Sequence, residues 1–566
     1  MSTALPDSAL ETLDWGWEHW RPAFDELLAA PLSAANAADW LASWTRLSDL
    51  ISETYARLSV ATTCDTTDAQ AEARFKTFLA EVYPPAMAAD QALKRKLLDA
   101  GVEPEGFAVA LRGIRAEVEL FREANLPLLT EERRLSNEYN KLIGAQTISW
   151  EGRELTLLQA APLLQGPDRA VREEVWRRSA ARQLADREQL NQLWRELFAL
   201  RAQLAANAGA PDYRAYAWRL RKRFDYSPDD CMRFAEAIEA AAVPAAARVY
   251  ARRAARLGLE RLRPWDTEAT NPEQGPLRPF TSGEELAARC EAVLGRVDEE
   301  LGEYFAVMRR EGLLDLDNRK GKAPGGYCTS FPAAQRPFIF MNAVGLAGDV
   351  RTLLHEAGHA FHVFETRPLP YHQQRSAPME FNEVASMAME LLAAPYLRRG
   401  DGGFYDEDGY ARARVEHLEG ILTFWPYMAV VDGFQHWAYT NPEAGADPAA
   451  CDATWERLWE RFMGAVDWSG LDAERATGWH RKQHIFRAPF YYVEYGMAQL
   501  GAVQVWRNAL TDQAAALAAY RRALALGGTA TLPELYAAAG ARFAFDTATV
   551  QEAVDLIEQT IADLER

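Results

Sequence analysis

Histidine is scarce in this sequence, with nine among 566 residues, and it is unevenly spread. His19 stands alone in the first 354 positions, and the others follow from position 355. Cysteine is scarce too. Cys64, Cys231, Cys290, Cys328 and Cys451 are scattered, odd in number and form no C-x-x-C pair. That argues against a disulfide framework and fits a reducing cytosol. An excess of positive charge is also missing. The net charge is −19 and the isoelectric point about 5.1, which argues against nucleic acid or an anionic membrane surface as a partner. No run of about 18 apolar residues occurs, so no membrane span is expected. The opening stretch MSTALPDSALETLDW lacks a basic region followed by an apolar one. No signal peptide is expected, and the location implied is cytoplasmic.

Strand signals are few as well. Thr147–Trp150, a Glu151-Gly152 turn and Leu155–Leu157 read as a small hairpin. Residues 327–331 and 337–341 read as two short strands. Most of the rest reads as helix, with Ala, Leu, Arg and Glu dominating 36–60, 68–99, 168–208, 228–259, 283–312 and the last 70 or so residues. Breaks fall at Pro84-Pro85, Pro162 to Pro167, Pro211, Pro264, Pro272 to Pro279 and 321–326. No internal repeat or low-complexity tract is present, and Ala-rich stretches serve as helix filler. The fold class expected is mostly α with a small β-sheet. The division expected is an N-terminal helical part, 1–180, and a part carrying all the chemical motifs, 181–566.

The chemistry centres on His355-Glu356-Ala357-Gly358-His359, an H-E-x-x-H pattern. Val350, Leu353, Leu354, Ala357, Ala360, Phe361 and Phe364 give the surrounding segment a helical apolar period, with Asp349 as a candidate N-cap. On a helix, positions i and i+4 lie one turn and about 40° apart, so both imidazoles reach one metal ion. Glu356 then faces the side where a metal-bound water would sit, the arrangement of zinc peptidases. A catalytic zinc wants three protein ligands and an open position. The third has to come from elsewhere. Residues 378–392 read as a helix after a proline, with Glu383 and Glu390 seven apart on one face among apolar neighbours. A carboxylate in such company needs a partner. Glu380 competes as a ligand, but Glu383 has Ser386 and Glu390 on its own side.

With these residues the chain resembles the thimet oligopeptidase and oligoendopeptidase F metallopeptidases, and most of all the bacterial Pz-peptidase type. The resemblance rests on HEAGHAFH at 355–362, Glu383-Val384-Ala385-Ser386 and Glu390. Upstream it includes Gly325-Gly326-Tyr327-Cys328 and residues 338–342, and downstream residues 484–495. It is specific over about 325–500 and looser elsewhere. It implies that Glu383 is the third zinc ligand, after His355 and His359. It also implies a large helical ellipsoid with a deep channel that admits short peptides and excludes folded proteins. Glu390 is read as accepting the second N–H of a ligand histidine. Related dipeptidyl carboxypeptidases have a glutamate at similar spacing, so spacing by itself does not select the family.

Residues 480–495, HRKQHIFRAPFYYVEY, form a cluster of donors. Peptide hydrolysis builds negative charge on the carbonyl oxygen, which a positioned histidine or tyrosine can stabilise. Pro489 suits a first helical turn, so that Tyr491 or Tyr492 would share a face with Tyr495. Aromatic residues at this spacing also suit a core. The resemblance implies a substrate-binding histidine and tyrosines here, yet the Gly-Gly-Tyr run that thimet-type enzymes carry after the histidine is absent. His484, Tyr492 and Tyr495 are the expected oxyanion donors, with Tyr491 the alternative. His362 reads as a packing neighbour of the zinc helix, Cys328 as a small buried hydrophobe, and His372, His417 and His436 as packing or surface residues.

The expected activity is that of a zinc endopeptidase acting on short peptides, with one Zn²⁺ per chain and a water activated by Glu356. Strand 337–342 would pair with an extended substrate. The rivals are an exopeptidase that removes C-terminal dipeptides and a non-catalytic peptide-binding protein with a structural metal.

Overall fold

The computed structural model describes residues 5–270 and 275–566. The first four residues and Pro272 lie outside them. Helix takes 71% of the chain and strand 5%, so the protein is mostly α. Among the described residues, no helix is long and apolar enough to cross a membrane.

Packing groups the chain into two units, each drawn from three separated stretches. One comprises the described residues of Met1–Val118, Arg278–Tyr410 and Gly501–Phe543; the other comprises those of Glu119–Leu277, Ala411–Leu500 and Ala544–Arg566. In the first unit the N-terminal helices bury an aromatic-rich core around Trp20, Phe24, Trp40, Trp44 and Phe78. The unit also holds a three-stranded sheet: β1 (Leu314–Asp317), β2 (Tyr327–Phe331) and β3 (Arg336–Ala343), in the order β1-β3-β2. β3 is central, parallel to β1 and antiparallel to β2. Phe331, Phe338 and Phe340 pack against Ala56 of the helix Ala37–Cys64.

The sheet leads into α1 (Ala347–Glu365), which packs on α2 (Met379–Ala393). All seven apolar positions read from the sequence of α1 are buried, each at most 2% exposed. At about 1.5–3 kcal/mol per large side chain, that stripe fixes which face of α1 looks outward.

Several expectations need correction. β3 cannot accept a substrate strand, because both its edges are taken; the edge strands are β1 and β2. β1 has no clear sequence signal, because a four-residue Leu-Asp alternation gives too short a period. Asp349 is not the N-cap of α1. It lies in the first turn and reaches back, accepting from Val344 N–H at 2.8 Å and Leu346 N–H at 2.9 Å. The helices expected over 168–208 and 283–312 are each two, Arg169–Ala185 with Arg187–Asn207 and Gly283–Val297 with Glu299–Arg310. Asp298 divides the latter pair by capping the N–H groups of Glu300 and Leu301. Pro84 and Pro85 do not break 68–99 outright. They open the helix Tyr83–Asp99 after a wide turn at Phe78–Val82, where their missing N–H groups cost little. The hairpin pairs Thr147–Trp150 with Arg153–Thr156, so its second strand starts two residues before Leu155 and ends one before Leu157.

Candidate metal centre and active site

His355, Glu356 and His359 lie on α1, and Glu383 and Glu390 on α2. The two helices approach very closely, and Gly358 is the reason. A Cβ at this position would stand 2.6 Å from both Ala385 O and Ser386 Cα. The glycine in H-E-A-G-H therefore lets α2 bring Glu383 to the histidines. Gly358→Ala is expected to force the helices apart, cost about 1–3 kcal/mol as an overpacked core does, and weaken zinc retention. Thermal unfolding and metal content check this; an unchanged midpoint and full zinc would show that the contact is not limiting.

The structure brings three of the expected ligands together. One donor atom from each of His355, His359 and Glu383 lies within 4.8 Å of the other two. Glu383 Oε2 is 3.4 Å from His355 Nε2 and 3.7 Å from His359 Nε2. A tetrahedral zinc with nitrogen and oxygen ligands puts neighbouring donors roughly 3.3 Å apart, so the donor set and its spacing fit Zn²⁺. Glu380 is buried but does not join the group, and its charge acts on Tyr536 instead. Behind the ligands, His355 Nδ1 is 2.8 Å from Glu390 Oε1. His359 hydrogen-bonds the Asn382 carbonyl, and Ser386 Oγ donates to Glu383 Oε2 at 3.2 Å. These contacts turn each ring's second nitrogen away and leave Nε2 facing Glu383.

The electrostatics ask for a cation. Burial pushes His355 down, but the carboxylates of Glu383 and Glu390 outweigh it and hold the imidazole up at about 10. A divalent ion competes for that same position. Burial takes His359 down to about 4, leaving it neutral as a ligand must be. Glu356 is 7% exposed. Burial, aided by the charges of Glu383 and Glu390, lifts it to about 7, while His355 and the Cys328 N–H pull it back. Cys328 is on β2, so an edge strand hydrogen-bonds the residue expected to act as base. Burial raises the Cys328 thiol well above its ordinary range, which suits a small packing residue.

The second cluster lies in the other unit. His484 is ringed by Tyr492, Tyr491 and Tyr495, with ring centroids at 4.9, 5.9 and 6.0 Å. Burial, then the charges of Lys482, Arg221 and Arg487, take His484 down to about 4, so it is a neutral donor. Its Nδ1 is buried without a hydrogen-bond partner among the described residues. Burial drives the Tyr492 hydroxyl well up, and Lys482 Nζ sits 3.7 Å from the centre of its ring. Pro489 is not in a helix as expected. Phe490 adopts φ +65°, its N–H donates to Gln435 Oε1 at 2.7 Å, and α3 starts only at Tyr492 (Tyr492–Thr511). Tyr491 thus precedes the helix.

Three arginines without any local signal hold this segment. Arg201 is fully buried and donates to Ile485 O and Phe486 O; Arg221 donates to Pro489 O; Arg223 donates to Phe490 O and to Glu494. Their partners are hundreds of residues away, so no local pattern signals them. His362 packs in the core beside Phe381, and His372 pairs with Asp49 at 2.7 Å.

An H-E-x-x-H helix, a glutamate-bearing partner helix and a small sheet beside them form a candidate metal site of the kind a peptidase can use. Residues 162–555 match the model of peptidase family M3, and the chain belongs to that family. Over 220 residues it is 28% identical to oligopeptidase PepF of Bacillus subtilis (strain 168), a match covering 37% of this chain and 32% of that one. Over 252 residues it is 22% identical to an oligoendopeptidase F homolog of Borreliella burgdorferi (strain ATCC 35210 / DSM 4680 / CIP 102532 / B31), covering 42% and 41%. The matched regions thus span less than half the length of these curated relatives. The solved structure of Pz peptidase A with an inhibitor superposes with a TM-score of 0.88 at 27% identity, covering 97% of this chain and 98% of that one.

Proposed function

We propose that this M3 peptidase is a zinc-dependent endopeptidase that hydrolyses short peptides. The observation that carries the reading is the His355/His359/Glu383 donor set, with Glu356 one residue from the first ligand and lifted to about 7 by burial. Zn²⁺ held by those three side chains would supply Lewis acidity to the scissile carbonyl and to the attacking water. Glu356 accepts the proton of that water and later delivers it to the leaving amine. The Cys328 N–H fixes the Glu356 carboxylate, and Glu390 fixes His355. His484 N–H and the hydroxyls of Tyr492 and Tyr495 donate to the developing oxyanion, with Tyr491 as the alternative. The edge of β2, the strand whose Cys328 N–H meets Glu356, would pair with an extended substrate backbone.

A structural metal needs no neighbouring base, so the buried Glu356 disfavours the non-catalytic reading. Endopeptidase action is favoured over dipeptide release from C-termini by the likeness to an oligoendopeptidase F homolog. A deep channel, a cytoplasmic location and a functional division at residue 180 belong to the same proposal. The location rests on the cysteines, none of which is in a disulfide.

The test is digestion of a mixed peptide library, with and without C-terminal blocking, with products mapped by mass spectrometry. Short peptides are expected to be cut internally whether or not the C-terminus is blocked, and folded proteins spared. Cleavage that requires an open C-terminus would support the exopeptidase, and efficient digestion of a folded protein would contradict a narrow channel.

The oxyanion assignment makes its own prediction. A donor that acts mainly in the transition state lowers kcat and kcat/KM together, whereas a residue that only holds the peptide raises KM. Tyr492→Phe or Tyr495→Phe, and His484→Ala, are expected to lower both by about 10²-fold with zinc content unchanged. Should all three match the parent in kcat, the cluster is core.

A further inference from the structure

We propose that the protein carries a second metal site, structural in role, in which Cys231, Asp432 and His436 hold a divalent cation of the zinc type. This site is independent of the catalytic reading. Cys231 sits near the start of the long helix Pro228–Arg256, and Asp432 and His436 are one turn apart on the helix Glu407–Thr440. All three belong to the second packing unit. They are 1%, 3% and 3% exposed, and one donor atom from each lies within 4.8 Å of the other two.

The hydrogen bonding points to a missing partner. Among the described residues, neither ring nitrogen of His436 makes a hydrogen bond, and Asp432 Oδ1 makes none. His436 Nε2 is 3.3 Å from Asp432 Oδ2, but not in hydrogen-bonding geometry. Buried polar groups are almost always satisfied, and a buried carboxylate beside an imidazole that fails to bond it needs an explanation. A shared cation supplies one. The 3.3 Å separation matches the roughly 3.3 Å between nitrogen and oxygen ligands on a tetrahedral zinc.

Charge and softness agree. Binding displaces the thiol proton of Cys231 to solvent; thiolate and carboxylate then balance a divalent ion, and imidazole adds a neutral donor. The result is a neutral centre, the form that costs least to bury. Asp432 Oδ1 is available as a fourth donor. A thiolate–imidazole–carboxylate set suits zinc rather than calcium or magnesium, which prefer oxygen throughout. The His436 ring lies between aromatic neighbours, 5.5 Å from Trp218 and 5.3 Å from Phe490. The metal would therefore tie two helices together beneath the strained residue that precedes the tyrosine cluster, with no room implied for a substrate. Nothing local in the sequence announces it, since Cys231 and Asp432 are two hundred residues apart.

Metal counting and cobalt spectroscopy on the full-length protein test the proposal. After exhaustive dialysis the parent is expected to hold about two equivalents of zinc, and His359→Ala about one. The cobalt(II)-substituted parent and His359→Ala are both expected to show thiolate-to-cobalt charge-transfer absorption in the near ultraviolet, because the His355/His359/Glu383 set contains no sulfur. Cys231→Ser is expected to lose that absorption and one equivalent of metal while keeping the equivalent that His359→Ala removes. If Cys231→Ser does not fold, the cobalt spectrum of His359→Ala decides by itself. Absence of the sulfur–cobalt band from a cobalt-loaded parent and His359→Ala overturns the proposal and leaves Cys231, Asp432 and His436 as a buried ion pair with a thiol beside it. A band that persists while His359→Ala loses no metal would keep this site and count against the catalytic one.

Discussion

Glu356→Gln is expected to fold, keep its zinc and lose turnover by about 10²–10⁴-fold or more, the scale of a positioned general base. The amide is nearly isosteric with the carboxylate, and its oxygen still accepts the Cys328 N–H, so packing on β2 survives. What it cannot do is take a proton. The burial that lifts Glu356 to about 7 is what suits it to accept a proton from water and return it to the leaving amine. Circular dichroism and elemental analysis should match the parent while kcat collapses. A near-native kcat would mean that another group is the base.

His359→Ala and Glu383→Ala are expected to lose one equivalent of zinc relative to the parent, and all activity with it. Each removes one of three donors whose mutual spacing already fits the ion. Glu390→Gln leaves all three in place but weakens the support of His355 Nδ1. A loss of about 10–100-fold in zinc affinity is expected there, the usual effect of a residue behind a ligand. Equilibrium titration against a competing chelator measures both. Zinc retained at full stoichiometry in Glu383→Ala would move the third ligand to Glu380, which the geometry disfavours.

Much of this centre is legible in the sequence because it is local. His355, Glu356 and His359 occupy one helical turn, and the burial stripe of α1 can be counted from 3.6-residue periodicity. Glu383 and Glu390 are seven apart and must share a face. The strands at 327–331 and 337–341 stand out among helical text. What stayed hidden depends on distant partners or single dihedrals. β1 is a strand only because β3 pairs with it. The positive φ of Phe490, which stops a helix from starting at Pro489, is set by a hydrogen bond to Gln435. Arg201, Arg221 and Arg223 read as ordinary surface charges until their carbonyl partners in 485–490 are in place. The packing units are each assembled from three separated stretches, which no contiguous reading of composition can reveal.

The most direct test of the central claim is hydrolysis of a short, C-terminally blocked peptide by the protein before chelation, after complete removal of metal, and after readdition of Zn²⁺. The account predicts internal cleavage at the start, none from the metal-free protein, and recovery with Zn²⁺ in the parent but not in His359→Ala. Cleavage at full rate by protein shown to be free of metal would contradict it.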